Sequence, residues 1–282
     1  MNNLCGVCGK PKQMQALKIL IIGDGSAGRR YERLVQAAGH EATVLGPRDD
    51  PNSVSGADGV IIASPPASHI DHLFYAKYAK LPTLCEGPIT LYHPPMSVPN
   101  MTASNWRFVH SMREFVHRLD GRNPVSAHLW FDHDLYKWRP CQPVQASCYY
   151  REGITQINLH EVDMALWMFG PAERVHVESR STMKSLGMDA YAMTIKHHSG
   201  VLTTIQSGWH SSAYRRGCVV QMRDGSVEEI NWQSPADDAQ VNASYAEVLD
   251  TWLYAIENWD LSVTPSLLDG YRAYQAINGV AY

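Results

Sequence analysis

Residues 17–28 read LKILIIGDGSAG, an apolar run that leads into a glycine-rich turn. The run predicts a strand buried on both faces, as the strands of parallel sheets are. Residues 26–39, SAGRRYERLVQAAG, predict a helix with one apolar face that ends at its last glycine. The stretch therefore predicts the first strand and the first helix of a parallel, doubly wound sheet.

The turn follows the pattern GxGxxG, with Gly23, Gly25 and Gly28 at its fixed positions. The first glycine of this pattern permits a tight turn, the second lets the backbone approach a pyrophosphate, and the third lets helix and strand pack closely. The helix N-terminus then offers free N–H groups to the phosphates. Because strand, turn and helix stand in the required order, the sequence predicts a Rossmann domain in which Ser26 and Ala27 also contact a dinucleotide.

The end of the second predicted strand bears on the choice of cofactor. The strand HEATVLG at 40–46 is followed by Pro47, Arg48 and Asp49. An arginine at this place can accommodate the 2′-phosphate of NADP, whereas an acid can bind the ribose hydroxyls of NAD. Arg48 therefore favours NADP as the cofactor, and Asp49 leaves NAD open.

The strand–helix alternation continues to about residue 119. The prolines of 90–104 predict a loop. The remaining predicted elements of this part are a strand DGVIIASPP at 58–66, a helix at 68–80 capped by Ser68, a strand LPTLCEGP at 81–88, a strand NWRFVHSM at 105–112 and a short helix near 113–119.

After Gly121 the sequence becomes β-rich and several segments alternate in polarity, which predicts an open, mostly antiparallel sheet. The predicted strands are 125–134, 172–182, 189–198, 201–210, 216–223 and 226–232, and the predicted helices are 160–168, 244–258 and 267–276. We expect an N-terminal extension at 1–14, a Rossmann domain at 15–120 and an α+β substrate and oligomerisation domain at 121–282. The C-terminal helix is expected to pack back toward the Rossmann domain.

Composition narrows the partners. The 282 residues carry a formal net charge of -4 and no long run of one sign, which argues against nucleic acid and anionic membranes. No apolar stretch approaches the roughly 20 residues that span a bilayer, and the N-terminus lacks the apolar core of a signal peptide, so a cytoplasmic protein is expected. Cys5 and Cys8 resemble half of a zinc ribbon, but a structural zinc site needs four ligands and no second CxxC follows. No metal site is predicted.

Four stretches, in this order, resemble the glucose–fructose oxidoreductase and inositol dehydrogenase (Gfo/Idh/MocA) family. They are GDGSAG at 23–28, ASPPASH at 63–69, LCEGP at 84–88 and GITQINLHEVDMALWMFG at 153–170. The resemblance covers nearly the whole chain from about Leu17. It implies a Rossmann domain, an open sheet that mediates homodimers or homotetramers, and NAD(P)-dependent oxidation or reduction of a small polar molecule. The further cofactor contacts that it implies are Ser64, Pro65, His69, Glu86, Gly87 and Pro88.

The chain departs from the family at the residues expected to handle protons. Family members commonly have Glu-Lys-Pro where this chain has Gly87 between Glu86 and Pro88, and that lysine assists proton transfer. Gln156 stands where many members have an aspartate. The loss of the lysine points to reduction of a C=N or activated C=O group, while sugar or cyclitol chemistry stays open.

His160 and Asp163 form the retained H-x-x-D segment. His160 can serve as a general acid or base, or as a substrate-orienting or structural histidine that hydrogen-bonds Asp163 from one helical turn away. Tyr92 and His93 lie just after the altered motif and are candidate replacement acids. Two other classes of function stay open: a non-catalytic nucleotide-binding sensor or subunit, and a zinc enzyme that uses Cys5 and Cys8.

Overall fold

The computed structural model describes residues 15–90, 97–134, 159–181, 188–232 and 239–282. Its strands are β1 Lys18–Ile22, β2 Glu41–Leu45, β3 Gly59–Ile62, β4 Thr83–Cys85, β5 Asn100–Thr102, β6 Pro124–Asp134, β7 Ala172–Arg180, β8 Ala190–His197, β9 Leu202–Gly208, β10 His210–Met222 and β11 Val227–Trp232. Its α-helices are α1 Ser26–Ala37, α2 His69–Ala79, α3 His110–Leu119, α4 Leu159–Phe169, α5 Ala239–Asn258 and α6 Leu267–Ile277. Short 3-10 helices cover Pro51–Ser53, Pro66–Ser68 and Asn105–Phe108.

The first sheet has five parallel strands in the order β2-β1-β3-β4-β5. Its strands are apolar on both faces because helices cover both. Ile19 and Ile21 of β1 pack with α1 and α5, whereas Leu20 and Ile22 pack with α2. The predicted parallel, Rossmann-type sheet is confirmed.

Helix α5 lies against this first sheet although it comes near the end of the chain. Trp252 of α5 is fully buried, and a Cβ atom on Gly59 of β3 would lie 2.9 Å from its ring. Val248 and Leu249 join the same cluster. A glycine at the start of β3 thus makes room for the tryptophan that covers the sheet.

The second sheet has six strands in the order β11-β10-β6-β9-β8-β7. Strands β6 and β9 run parallel and the other neighbouring pairs are antiparallel, which confirms a mostly antiparallel sheet. Strict alternation along β6 buries Leu129 and Phe131 in the core that includes α4, while His128 and Trp130 lie on the other face. That second face is called the outer face below.

Three local predictions are wrong. Residues 105–112 form a 3-10 helix and the start of α3 instead of a strand, because Trp106 is buried by packing against the ring of Trp232 at a centroid distance of 5.4 Å. The predicted loop at 90–104 contains β5, which pairs with β4. Ser68 does not cap α2, since its hydroxyl donates instead to the carbonyl oxygen of Pro65.

The predicted extension at 1–14 lies outside the described residues, and the predicted domain boundaries stay predictions. None of the helices in the described part of the chain is long and apolar enough to cross a membrane.

Candidate functional site

The three glycines of the turn after β1 have different surroundings. Gly23 has a φ of +120°, and a Cβ atom there would lie 2.5 Å from the carbonyl oxygen of Ala63. A Cβ atom on Gly28 would overlap the carbonyl oxygen of Gly23. A Cβ atom on Gly25 would meet no atom within 4 Å. Two glycines are therefore needed by the fold itself, while the third borders open space.

Helix α1 begins at this open space. Gly25 is its N-cap, and the first α-helical hydrogen bond runs from the Arg29 N–H to the Gly25 carbonyl at 2.9 Å. No acidic side chain lies in the first turn of this helix. The free N–H groups at Ser26, Ala27 and Gly28 fit a diphosphate, since a helix N-terminus attracts negative charge.

Two carboxylates converge at the end of β2. The Oδ2 atom of Asp49 accepts a hydrogen bond from the Gly46 N–H at 2.8 Å. A Cβ atom on Gly46 would lie 3.4 Å from Oδ2 of Asp24 and 3.5 Å from Oδ2 of Asp49. Arg48 is exposed beside them. This edge thus combines two negative charges with one positive charge.

His69 joins the loops that follow β3 and β4. Its fully buried ring has Nε2 at 2.8 Å from the Ser64 carbonyl oxygen and Nδ1 at 3.0 Å from the Pro88 carbonyl oxygen. Burial lowers the pKa of His69, and a neutral imidazole can donate only one of these two bonds. The ring can therefore act on a cofactor only indirectly, by holding together the two loops that it connects. The first of these loops begins with Ser64 and Pro65.

Glu86 directly follows β4, and its carboxyl group lies on the side of the sheet that α1 covers. The hydroxyl group of Tyr31 donates to its Oε1 at 2.9 Å, and burial raises the pKa of Glu86. Sequence reasoning missed Tyr31, because the two residues are 55 positions apart and nothing local indicates the contact.

The space beside Gly87 is filled from helix α4. A Cβ atom on Gly87 would lie 2.6 Å from Cδ2 of Leu159, the first residue of that helix. The leucine therefore occupies the direction in which a side chain at position 87 would extend, and the wall there is apolar.

His160 lies in the first turn of α4 above a buried ion pair. Arg216 of β10 donates from Nε to Oε1 of Glu161 at 2.6 Å, and its guanidinium lies 3.7 Å from the ring centroid of Trp106. Burial, together with the positive charge of Arg216, lowers the pKa of the half-buried His160 to about 3. His160 is therefore neutral near pH 7 and can accept a hydrogen bond.

Asp163 does not bond to His160. Arg107, which follows β5, donates from Nε and Nη2 to both carboxylate oxygens of Asp163, at 2.8 and 2.6 Å. The hypothesis of a structural hydrogen bond between His160 and Asp163 is therefore wrong. The bidentate pair instead fixes α4 to the segment after the first sheet.

Several predicted site residues cannot be placed. Gln156, Tyr92 and His93 lie outside the described residues, as do Cys5 and Cys8. Within the described ranges, no group of three or more His, Cys, Asp or Glu side chains could hold a metal ion.

The fold and the site combine a Rossmann-type parallel sheet, whose first turn is open at Gly25, with a mixed sheet whose covering helix α4 places Leu159 beside Gly87. Residues 125–228 match the family model described as the GFO/IDH/MocA C-terminal domain. The match covers 104 of the 282 residues and confirms the resemblance stated from the sequence over that segment.

Solved structures show the same fold over nearly the whole chain. A myo-inositol dehydrogenase from Corynebacterium glutamicum is 17% identical, with a TM-score of 0.73 over 94% of this chain and 95% of that one. A myo-inositol 2-dehydrogenase from Lactobacillus plantarum is 16% identical, with a TM-score of 0.74 over 94% and 96%. GenD2 from gentamicin A biosynthesis, in complex with NAD, is 13% identical, with a TM-score of 0.75 over 94% and 93%. A search of curated protein sequences found no match.

Proposed function

We propose that this protein is an NAD(P)-dependent oxidoreductase that transfers hydride to or from a small polar molecule. The observation that carries the proposal is the turn at Gly25, where open space meets the unobstructed N-terminus of α1. The structural likeness to proteins named as dehydrogenases, one of them in complex with NAD, supports it.

The chain's own residues have separate tasks in this proposal. The N–H groups that follow Gly25 bind the diphosphate, and the loops joined by His69 form the wall at the ends of β3 and β4. The nicotinamide, when bound, supplies the hydride chemistry, and the protein supplies orientation and electrostatics. Neutral His160 orients the substrate by accepting a hydrogen bond.

The cofactor is proposed to be NAD rather than NADP. Asp24 and Asp49 both approach Gly46, and their charges would repel a 2′-phosphate while accepting hydrogen bonds from ribose hydroxyls. The positive charge of Arg48 would lessen this preference for NAD.

The substrate class follows from the wall between Gly87 and Leu159. Within the described residues, this wall is formed by Leu159 and carries no amine, so it favours a substrate that gains hydride without a lysine beside the reacting carbon. We propose reduction of a C=N or activated C=O group, with keto-sugars and keto-cyclitols among the candidates.

The test begins with binding and then measures turnover. Titration with NADH and NADPH, followed by cofactor fluorescence, should show saturable binding. A panel of imines, keto-sugars and keto-cyclitols with the preferred cofactor should then give substrate-dependent oxidation. Absence of nucleotide binding would overturn the proposal.

A non-catalytic nucleotide-binding protein is the second candidate. Leu159 fills the space beside Gly87, and this favours a protein without catalytic activity, because a site that performs no chemistry needs no functional side chain at position 87. Saturable cofactor binding without turnover over the whole panel would support this candidate.

The second sheet is proposed to form a homodimer or homotetramer through its outer face. His128 and Trp130 stack there at a centroid distance of 5.5 Å, and neighbouring Gln206 is exposed. Light scattering should report an oligomer that Gln206→Arg dissociates. A monomeric wild-type chain would contradict this.

A further inference from the structure

The hydrogen bond between Tyr31 and Glu86 joins two rigid elements at the edge where the cofactor is proposed to bind. Tyr31 is fully buried on α1, and its hydroxyl reaches only Oε1 of the carboxyl group. The Glu86 N–H donates to the Ile62 carbonyl at 2.9 Å, so the backbone is held by β3. Within the described residues, Tyr31 is the side chain that donates to the Glu86 carboxyl group, which holds Oε1 in place and leaves Oε2 for another partner.

The titratable and charged groups found around Glu86 in the described residues are Tyr31, Cys85 and Arg30. Burial raises the pKa of both Tyr31 and Cys85 well above their ordinary values, so both stay protonated. The Arg30 guanidinium lies 3.9 Å from the ring centroid of Tyr245 on α5, and its charge acts to lower the pKa of Glu86. Burial outweighs this charge and the Tyr31 hydrogen bond, and the pKa of Glu86 is raised.

Glu86 also has the position that proton exchange requires. It follows the last residue of β4, at the carboxyl edge of the parallel strands, where ligands of open α/β sheets bind. The next residue is Gly87, whose missing side chain is replaced by apolar Leu159. Glu86 is partly exposed at this edge, so it can reach a ligand there.

We propose that Glu86 exchanges the proton of the reaction and that Tyr31 is a positioning residue for its carboxyl group. This inference rests on the proposed function. In the direction of reduction, the carbon of a C=O or C=N group gains hydride from the reduced nicotinamide, and its oxygen or nitrogen gains the proton from Oε2 of Glu86. The resulting carboxylate keeps the hydrogen bond from Tyr31 and takes a proton from water. Oxidation runs the same steps in reverse.

The first experiment measures binding without turnover. The oxidised nicotinamide ring is positively charged and favours the Glu86 carboxylate, so NAD⁺ affinity should rise with pH, by up to about tenfold for each unit by which binding lowers the pKa. The affinity for NADH should change less. Calorimetry between about pH 5 and pH 8, in two buffers of different ionisation enthalpy, should show proton release when NAD⁺ binds.

Two variants separate proton exchange from a merely structural role. Glu86→Gln should bind both cofactors without releasing a proton. Tyr31→Phe keeps the ring but removes a bond that lowers the pKa of Glu86, so the midpoint of the pH dependence should move upward. A structural role for Tyr31 would weaken binding equally at every pH. Once a substrate is found, kcat should show the same midpoints.

The outcomes distinguish the two proposals. No nicotinamide binding by the wild-type chain would overturn both. Cofactor binding whose pH dependence is the same in wild type, Glu86→Gln and Tyr31→Phe would overturn the role of Glu86 and leave the proposed function standing. Proton release that disappears in Glu86→Gln and shifts in Tyr31→Phe would support it.

Discussion

Gly28 lies so close to Gly23 that a methyl group on Gly28 would overlap the Gly23 carbonyl oxygen. The contact brings the first turn of α1 against the end of β1. Gly25, between them in sequence, has open space instead. Substitutions at Gly28 and at Gly25 can therefore separate an effect on folding from an effect on cofactor binding.

Gly25→Val should abolish cofactor binding while the chain stays folded, because the added side chain enters the space proposed for the pyrophosphate. Gly28→Ala is the matched variant and should unfold the first domain. Its methyl group would overlap the Gly23 carbonyl oxygen, and such a clash costs more than about 4 kcal/mol. Circular dichroism and cofactor fluorescence measure the two effects. Wild-type affinity in Gly25→Val would exclude this turn as the binding site.

The choice of cofactor should respond to the charges at the end of β2. Asp49→Asn retains an oxygen for the Gly46 N–H but removes a negative charge, so it should raise the NADPH to NADH affinity ratio. Asp24→Asn should act in the same direction. Arg48→Ala should weaken NADPH about tenfold or more relative to NADH, as the loss of a charge-assisted contact does. Parallel changes for both cofactors would show that these residues do not read the 2′-phosphate.

Gly87→Lys should interfere with Leu159. The new side chain begins 2.6 Å from the leucine Cδ2 atom, so the single variant should lower both cofactor affinity and activity on the native substrate. In the double variant Gly87→Lys, Leu159→Ala, the lysine has room, and cofactor affinity should return to the wild-type value. If the single variant creates alcohol dehydrogenase activity in a chain that has none, the non-catalytic candidate is favoured.

The buried pair of Glu161 and Arg216 should matter far more for stability than an exposed pair. Glu161→Gln leaves the Arg216 charge buried without its partner, which costs about 3–5 kcal/mol. Glu173→Gln removes the exposed partner of Lys196 and should cost far less, because water screens this pair. Urea unfolding of both variants provides the comparison. Equal losses would mean that water reaches the Arg216 guanidinium.

His160 should make the protein sensitive to acid. Its pKa is about 3 in the folded chain against 6.5 for an ordinary histidine, so the unfolded chain binds its proton more tightly. The stability contribution is complete above pH 6.5 and is lost as the pH falls toward 3. His160→Asn should therefore flatten the fall in unfolding free energy over this range, leave cofactor affinity nearly unchanged and lower turnover about tenfold, the effect of one lost hydrogen bond to the substrate. If the unfolding free energy falls equally on acidification in wild type and His160→Asn, the His160 ring is solvated in the folded chain.

Sequence patterns predicted most of the fold because burial imposes them locally. The alternation along β6 and the glycines around α1 are visible in neighbouring residues. The segment around Trp106 was misjudged because aromatic spacing typical of a strand is satisfied there by a 3-10 helix against Trp232. The polar contacts of the site were missed for a different reason. Arg107 and Asp163 are 56 positions apart, and pairing at that distance depends on the complete fold. Arg216 offered one signal, since it is a charged residue at an inward position of an alternating strand.

The packing of Trp252 against Gly59 has a consequence for how the protein is made. The first sheet is encoded before residue 120, but the helix that covers one of its faces is encoded after residue 238. During synthesis, the ribosome therefore extends the whole second sheet while Ile19, Ile21 and Ile61 still lack part of their cover. A shortened gene product that stops after the first sheet would expose this face and aggregate, although it contains all three glycines of the turn after β1.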